Sequence, residues 1–136
     1  MIRIIPLALI VSCLFIISSS FLKKDGLAES IKRGKEVYTT YCINCHMENG
    51  MGTPDVNPPL AKADYIKKPA NTLIDIILEG QSGEIIVNKK KYNTIMPAQP
   101  YLSDEQVADV LNYVRNTWGN KVPGIITPAQ VKVLRK

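Results

Sequence analysis

Cys42-Ile43-Asn44-Cys45-His46 gathers the only histidine of the chain and two of its three cysteines. Two thiols at this spacing on one helical turn can each form a thioether to a vinyl group along one edge of a porphyrin. The imidazole next in sequence is then carried under the ring to become the proximal iron ligand. C-x-x-C-H is the attachment signature of a c-type haem. Competing uses of the motif fit less well. A structural zinc site takes four Cys or His ligands, and outside the motif only Cys13 remains, inside an apolar N-terminal run. A thioredoxin-like pair belongs in a βαβ setting, whereas the preceding Ser30 to Tyr41 reads as helix. A Cys42–Cys45 disulfide closes a small, strained loop and leaves His46 without a role. The expected cofactor is one covalently attached haem c.

The rest of the chain is compatible with one domain around such a group. At 136 residues it has the length of a single domain, and a hydrophobic content of 46% with 21% charged residues is that of an ordinary globular protein. No internal repeat or low-complexity tract interrupts it.

Arg3 precedes an uncharged run from Ile4 to Leu22, followed by Lys23-Lys24-Asp25. A basic start, an apolar stretch and the small residues Ser18-Ser19-Ser20 read as an export signal over residues 1–20. The same run is almost long enough to span a bilayer as an uncleaved anchor. Ile10-Val11-Ser12-Cys13 loosely resembles a lipoprotein box, although the apolar run continues past Cys13 to Ile17. All three readings place the body outside the cytoplasm, in the periplasm or on the outer face of the membrane.

The second axial ligand follows by elimination. With one histidine, bis-histidine ligation within the chain is impossible, and methionine is the usual alternative. Met1 belongs to the leader, Met47 adjoins the proximal histidine, and Met51 is too near to pass round the ring. Met96 remains, in Asn93-Thr94-Ile95-Met96-Pro97-Ala98, where Pro97 stiffens the loop and biases Met96 toward an extended backbone. The bland alternative is a methionine that fills the core.

Local patterns predict a helical body. Ser30 can cap a first helix whose apolar side carries Ile31, Val37, Tyr38 and Tyr41. Pro54, Pro58 and Pro59 make residues 50–60 a loop wrapping the haem. A second helix is expected over Ala70 to Glu79, burying Leu73, Ile74, Ile76 and Ile77 and stopped by Gly80. Glu84 to Tyr92 alternates weakly about Asn88-Lys89-Lys90, as in a short hairpin. Ser103 and Gln106 form a capping box before the stripe Val107, Val110, Leu111, Val114 and Trp118, which ends at Gly119. Thr127-Pro128-Ala129-Gln130 reads as a last capped turn.

These residues together resemble a class I cytochrome c over about Ile31 to Asn120, most closely small bacterial domains that pair C-x-x-C-H with a downstream Met-Pro-Ala loop and a final helix like Leu102 to Trp118. The resemblance implies an all-α cytochrome c fold: helices packed around one covalently bound haem, with a short β-hairpin before the methionine loop. It implies a domain over residues 30–120 and a C-terminal extension over 121–136. It also implies that the Pro58 carbonyl accepts the His46 imidazole N–H, which fixes tautomer and ring angle, and that Leu60 packs on the haem. The family's crossing of first and last helices maps onto Gly34 and Tyr38 against Val110 and Tyr113. Tyr92 stands where relatives often keep a tyrosine near the haem, as a donor to a propionate or the methionine sulfur, with core packing the alternative. One departure is that many relatives place glycine directly after the histidine, where this chain has Met47.

Iron with six ligands, two of them His46 and Met96, has no open position for substrate. The expected role is therefore an electron carrier rather than an enzyme. A haem subunit held in a larger oxidoreductase or respiratory complex shares that chemistry, and a peroxide- or gas-binding protein with a labile Met96 is a further alternative. The net charge of +5 and the run Lys89-Lys90-Lys91 allow either steering of an acidic redox partner or a solvated hairpin tip. No basic stretch is interleaved with aromatics as a nucleic-acid surface requires.

Overall fold

The computed structural model describes residues 26–136, so the leader read over residues 1–20, and Cys13 within it, lie outside the described residues. Among the described residues five α-helices follow one another: α1 (Leu27–Tyr41), α2 (Ile43–His46), α3 (Ala70–Glu79), α4 (Asp104–Asn116) and α5 (Pro128–Leu134). A 3-10 turn at Tyr65–Lys67 precedes α3, and the strands β1 (Ile85–Val87) and β2 (Lys90–Tyr92) form an antiparallel hairpin between α3 and α4. Among the described residues no helix is long and apolar enough to cross a membrane.

The most extensive packing in the fold is between α1 and α4. They meet tightly at Gly34, where an added Cβ would lie 2.0 Å from the Asp109 carbonyl oxygen and 2.8 Å from the Tyr113 Cβ. The absence of a side chain is what lets the backbones meet. Below that point Tyr38, Tyr113 and Trp118 form an aromatic cluster, with ring centroids 5.0–5.4 Å apart.

The expected Ser30 cap is not observed. α1 begins a turn earlier, with Gly26 in the N-cap position, and Ser30 is buried inside the helix, donating to Asp109 Oδ1 at 2.6 Å. The hydroxyl gains more from a buried acceptor on a distant helix than from an exposed backbone amide, because a buried carboxylate must be satisfied. Arg33 completes the cluster, its Nε 2.6 Å from Asp109 Oδ2.

Local signals elsewhere hold. α3 has the expected bounds and stops at Gly80 with φ +81°, and Leu73, Ile74 and Ile77 are buried while Ile76 is half-buried. The hairpin turns on Asn88 and Lys89, both at positive φ, with Lys90 already in β2; paired left-handed residues match the twist of the flanking strands. Both capping boxes form, Ser103 with Gln106 and Thr127 with Gln130. The stripe on α4 is corrected at its end. The helix closes at Asn116, Thr117 is extended, and Trp118 takes φ +54° so that its ring packs on the cluster rather than continuing the helix.

Residues 121–136 fold back against the body and reach its core at two points. Ile126 and Val131 are buried, and Asn112 grips the Ile126 peptide through both of its amide atoms, at 2.8 Å each. Arg135 closes the tail onto the start of α4, bonding Asp104 Oδ1 at 2.8 Å and the Leu102 carbonyl at 2.7 Å. Because the tail covers what would be its outer face, α4 is buried on every side from Val107 to Arg115.

Candidate haem cleft

Cys42 is the hinge between α1 and α2. Its N–H donates to the Tyr38 carbonyl at 2.9 Å, and its own carbonyl accepts from His46 N at 3.0 Å. The motif is thus a single helical turn that starts from the end of α1, which sets Cys42 and Cys45 one turn apart with both thiols free. Burial, and then the neighbouring Cys45, push the Cys42 thiol up to about 11. A dithiol redox catalyst lowers the pKa of its attacking thiol, so this environment does not suit disulfide exchange. Among the described residues no group of three or more His, Cys, Asp or Glu could hold a metal ion, which leaves the zinc reading without ligands.

Residues 47–61 form the wall beneath His46. Gly52 N donates to the His46 carbonyl at 3.1 Å, and Leu60 N and Ala61 N both donate to the Gly50 carbonyl. Trp118 lies flat over Gly50, where an added Cβ would sit 2.6 Å from the indole, and its Nε1–H donates to the Glu48 carbonyl at 3.1 Å. Met47, where relatives often have glycine, adopts φ +61° and ψ 159°, a region normally open only to glycine. The Tyr38 hydroxyl, donating to the Met47 carbonyl at 2.7 Å, helps to hold it there. Met47→Gly should relieve that strain. Strain of ~1–3 kcal/mol set against ~0.5–1 kcal/mol of glycine chain entropy predicts a gain of about 1 kcal/mol and a rise of several degrees in thermal midpoint. A lower midpoint would show that the Met47 conformation is unstrained.

The loop of Met96 is fastened to the end of α3. Gln81 and Met96 exchange two backbone hydrogen bonds, both at 2.9 Å, and Gln99 N donates to the Ile77 carbonyl at 2.7 Å. Gly80 permits the approach, since a Cβ there would meet the Met96 carbonyl oxygen at 2.7 Å. The methionine is placed by its own peptide group, independently of what its sulfur binds.

Cys42, Cys45, His46, Pro58, Leu60 and Met96 all line one apolar cleft of about 1290 Å³, its open mouth included. Its floor is completed by aliphatic side chains of α3 and α4, among them Ile77, Val110 and Val114. Burial lowers the proton affinity of His46, and the Pro58 carbonyl opposes that. Yet Nδ1 is buried without a partner in good hydrogen-bonding geometry, so Pro58 is near enough to act on the ring electrostatically but does not close a full bond. Tyr92 is placed apart. It is buried, cross-strand from Ile85, and is not among the residues lining the cleft. Sequence patterns did not single out Tyr65, Gln81 or Arg115, which do line it. The Tyr65 hydroxyl donates to Gln81 Oε1 at 3.3 Å, a pairing across 16 residues with no motif to announce it.

The donor set suits a haem: two thiols on one edge, an imidazole whose enclosed Nδ1 leaves Nε2 as the ring nitrogen open to a metal, a thioether on a separate loop, and apolar walls between. Comparison with known proteins agrees. The Cytochrome c family profile matches residues 31–118. The chain is similar to cytochrome c-552 of Thermus thermophilus, 39% identical over 124 residues, covering 85% of this chain and 83% of that protein. It is also similar to the cytochrome c subunit of the quinone alcohol dehydrogenase of Gluconobacter oxydans, 32% identical over 122 residues, 87% of this chain but 24% of that subunit. The gluconate 2-dehydrogenase cytochrome c subunit of Pantoea cypripedii is 32% identical over 125 residues, 85% of this chain and 28% of that subunit.

Proposed function

This chain belongs to the cytochrome c family, and from that premise we propose that it shuttles single electrons between redox proteins outside the cytoplasm, through one haem c held by Cys42, Cys45, His46 and Met96. The observation that carries this reading is that His46 and Met96, fifty positions apart in sequence, line the same apolar cleft as both motif cysteines. The bound haem supplies reversible one-electron chemistry. The protein supplies the rest. Cys42 and Cys45 would hold the haem through thioethers, His46 and Met96 would supply its iron ligands, and the Pro58 carbonyl would polarise the imidazole. Leu60 and the aliphatic faces of α3 and α4 exclude water. A haem held by both His46 and Met96 would have no iron position left for a substrate, which favours a carrier over a peroxide- or gas-binding enzyme.

A second reading is a haem subunit resident in a membrane dehydrogenase. It is supported by the similarity to cytochrome c subunits of two dehydrogenases. The greater share of the Thermus c-552 that is covered favours the free carrier. The leader read over residues 1–20 supports export, as a cleaved signal or a membrane anchor. Steering of an acidic partner finds less support in the lysine run, because Lys90 pairs with Asp55 at 2.6 Å and Lys91 with Glu84 at 3.0 Å.

The test is an intact mass together with a pyridine haemochrome spectrum on protein from its native host. The expected result is one haem joined by two thioethers to a chain that retains its colour through acid–acetone extraction. Loss of all colour would refute covalent attachment. Prompt carbon monoxide binding by the reduced protein at neutral pH would overturn Met96 ligation and favour the enzyme.

A further inference from the structure

The segment that joins Met96 to α4 is poorly equipped to hold itself. Pro97 and Pro100 have no N–H to give, and the backbone closes on itself through Leu102 N, which donates to the Gln99 carbonyl at 3.2 Å. The start of the segment is fastened to α3 by the Met96 and Gln99 bonds. Its far end is held from the tail. The Arg135 guanidinium directs Nη1 to the Pro100 carbonyl at 2.9 Å, Nη2 to the Leu102 carbonyl at 2.7 Å and Nε to Asp104 Oδ1 at 2.8 Å. A rigid planar fork can serve acceptors spread from Pro100 to Asp104 at once, where a single ammonium cannot. Leu102 is buried and lines the cleft together with Met96, Pro97 and Gln99, so the wall of the cleft and the arginine meet at one peptide group. The base of the fork is fixed as well. Arg135 caps α5, its N–H donating to the Val131 carbonyl at 3.1 Å. Val131 is fully buried, and α5 packs on both α3 and α4.

We propose that Arg135 is a positioning residue for the second axial ligand: by bonding the Pro100 and Leu102 carbonyls from the tail, it keeps the Met96 loop closed and the thioether on the iron. This rests on the haem reading above and extends it to a residue that never touches the cleft. Swinging the loop away from α4 breaks both carbonyl bonds. An added ligand competes for the iron in the open form alone, so its apparent affinity is reduced by the fraction of molecules that are open. Removing the fork raises that fraction and leaves Met96 itself intact. The tail thereby keeps the protein a carrier and suppresses the ligand-binding behaviour of a haem with a free position.

The experiment titrates the ferric holoprotein with imidazole, following loss of the methionine-type charge-transfer band, for wild type, Arg135→Gln, Arg135→Lys and Val37→Ala. Val37 is buried on α1, outside the tail, the loop and the cleft lining, so Val37→Ala lowers the thermal midpoint without touching the latch. Arg135→Gln should bind imidazole roughly tenfold more tightly than wild type, the scale set by losing two hydrogen bonds from a charged donor. Arg135→Lys should fall between the two, because its ammonium keeps the charge but not the fork. Val37→Ala should keep the wild-type affinity. Wild-type affinity in Arg135→Gln, or an equal rise in Val37→Ala, would overturn the proposal. Wild-type affinity in Arg135→Lys would overturn it even if Arg135→Gln failed to accumulate. A wild type without haem, or without the charge-transfer band, would instead refute the functional reading beneath it.

Discussion

Met96→Ala should lower the midpoint potential by a sizeable part of the roughly 0.8 V that axial ligation spans in haem proteins, and should let the reduced protein bind carbon monoxide. The soft thioether favours ferrous iron, so its removal favours the ferric state. The variant is expected to fold, because the loop is held by main-chain atoms. Gln81 and Met96 exchange their N–H and C=O groups, and Gln99 N is bonded to Ile77; none of these bonds involves the methionine side chain. Redox titration and the visible spectrum of the ferric protein are the measurements. A variant that keeps the methionine-type charge-transfer band would remove Met96 from the iron, and the electron-carrier reading would lose its second ligand.

Gly34→Ala is expected to cost at least ~3 kcal/mol, beyond most overpacking substitutions. In an exposed helix the same change would stabilise by ~0.5–1 kcal/mol, so the predicted sign is opposite to that of helix propensity. The atoms in the way, the Asp109 carbonyl oxygen and carbon at 2.0 and 2.5 Å, are backbone. They cannot rotate aside, and α4 would have to move away from α1. That movement would strain the Ser30–Asp109 and Arg33–Asp109 bonds and the Tyr38–Tyr113 contact together. For a domain of this size the loss corresponds to a fall of more than ~10 °C in thermal midpoint, read by circular dichroism on the holoprotein. An unchanged or higher midpoint would mean that the helices can separate freely, contrary to the packing described.

Features governed by neighbours in sequence were legible before the fold was. Ser103 with Gln106 and Thr127 with Gln130 are self-contained capping boxes, Gly80 ends α3 by its own conformational freedom, and the spacing of Cys42, Cys45 and His46 is itself the chemistry. Features decided by distant partners were not. Ser30 has the composition of a cap, but Asp109, 79 residues away, takes its hydroxyl. Asp109, Asn112 and Arg115 occupy what a hydrophobic stripe marks as the wet face of α4; α1 covers Asp109 through Ser30 and Arg33, and residues 121–136 return over Asn112 and Arg115. Periodicity cannot anticipate a cover supplied by another segment. For the same reason Trp118 reads as the next step of the stripe, although it turns out of the helix to stack on Tyr38. The pairing of Gln81 with Met96 carries no sequence signal, because it is made by peptide groups that every residue has.

That peptide pairing bears on speed as well as on structure. Electron exchange is slowed when atoms must shift between the two oxidation states, and a donor atom on a loose loop would shift most. With the Met96 backbone tied to the end of a packed helix, a ligating sulfur would sit on a fixed main chain, so the nuclear reorganisation accompanying each transfer should be small. The pace of exchange is then set by how closely a docked protein approaches the haem edge and by the difference in potential between the two centres.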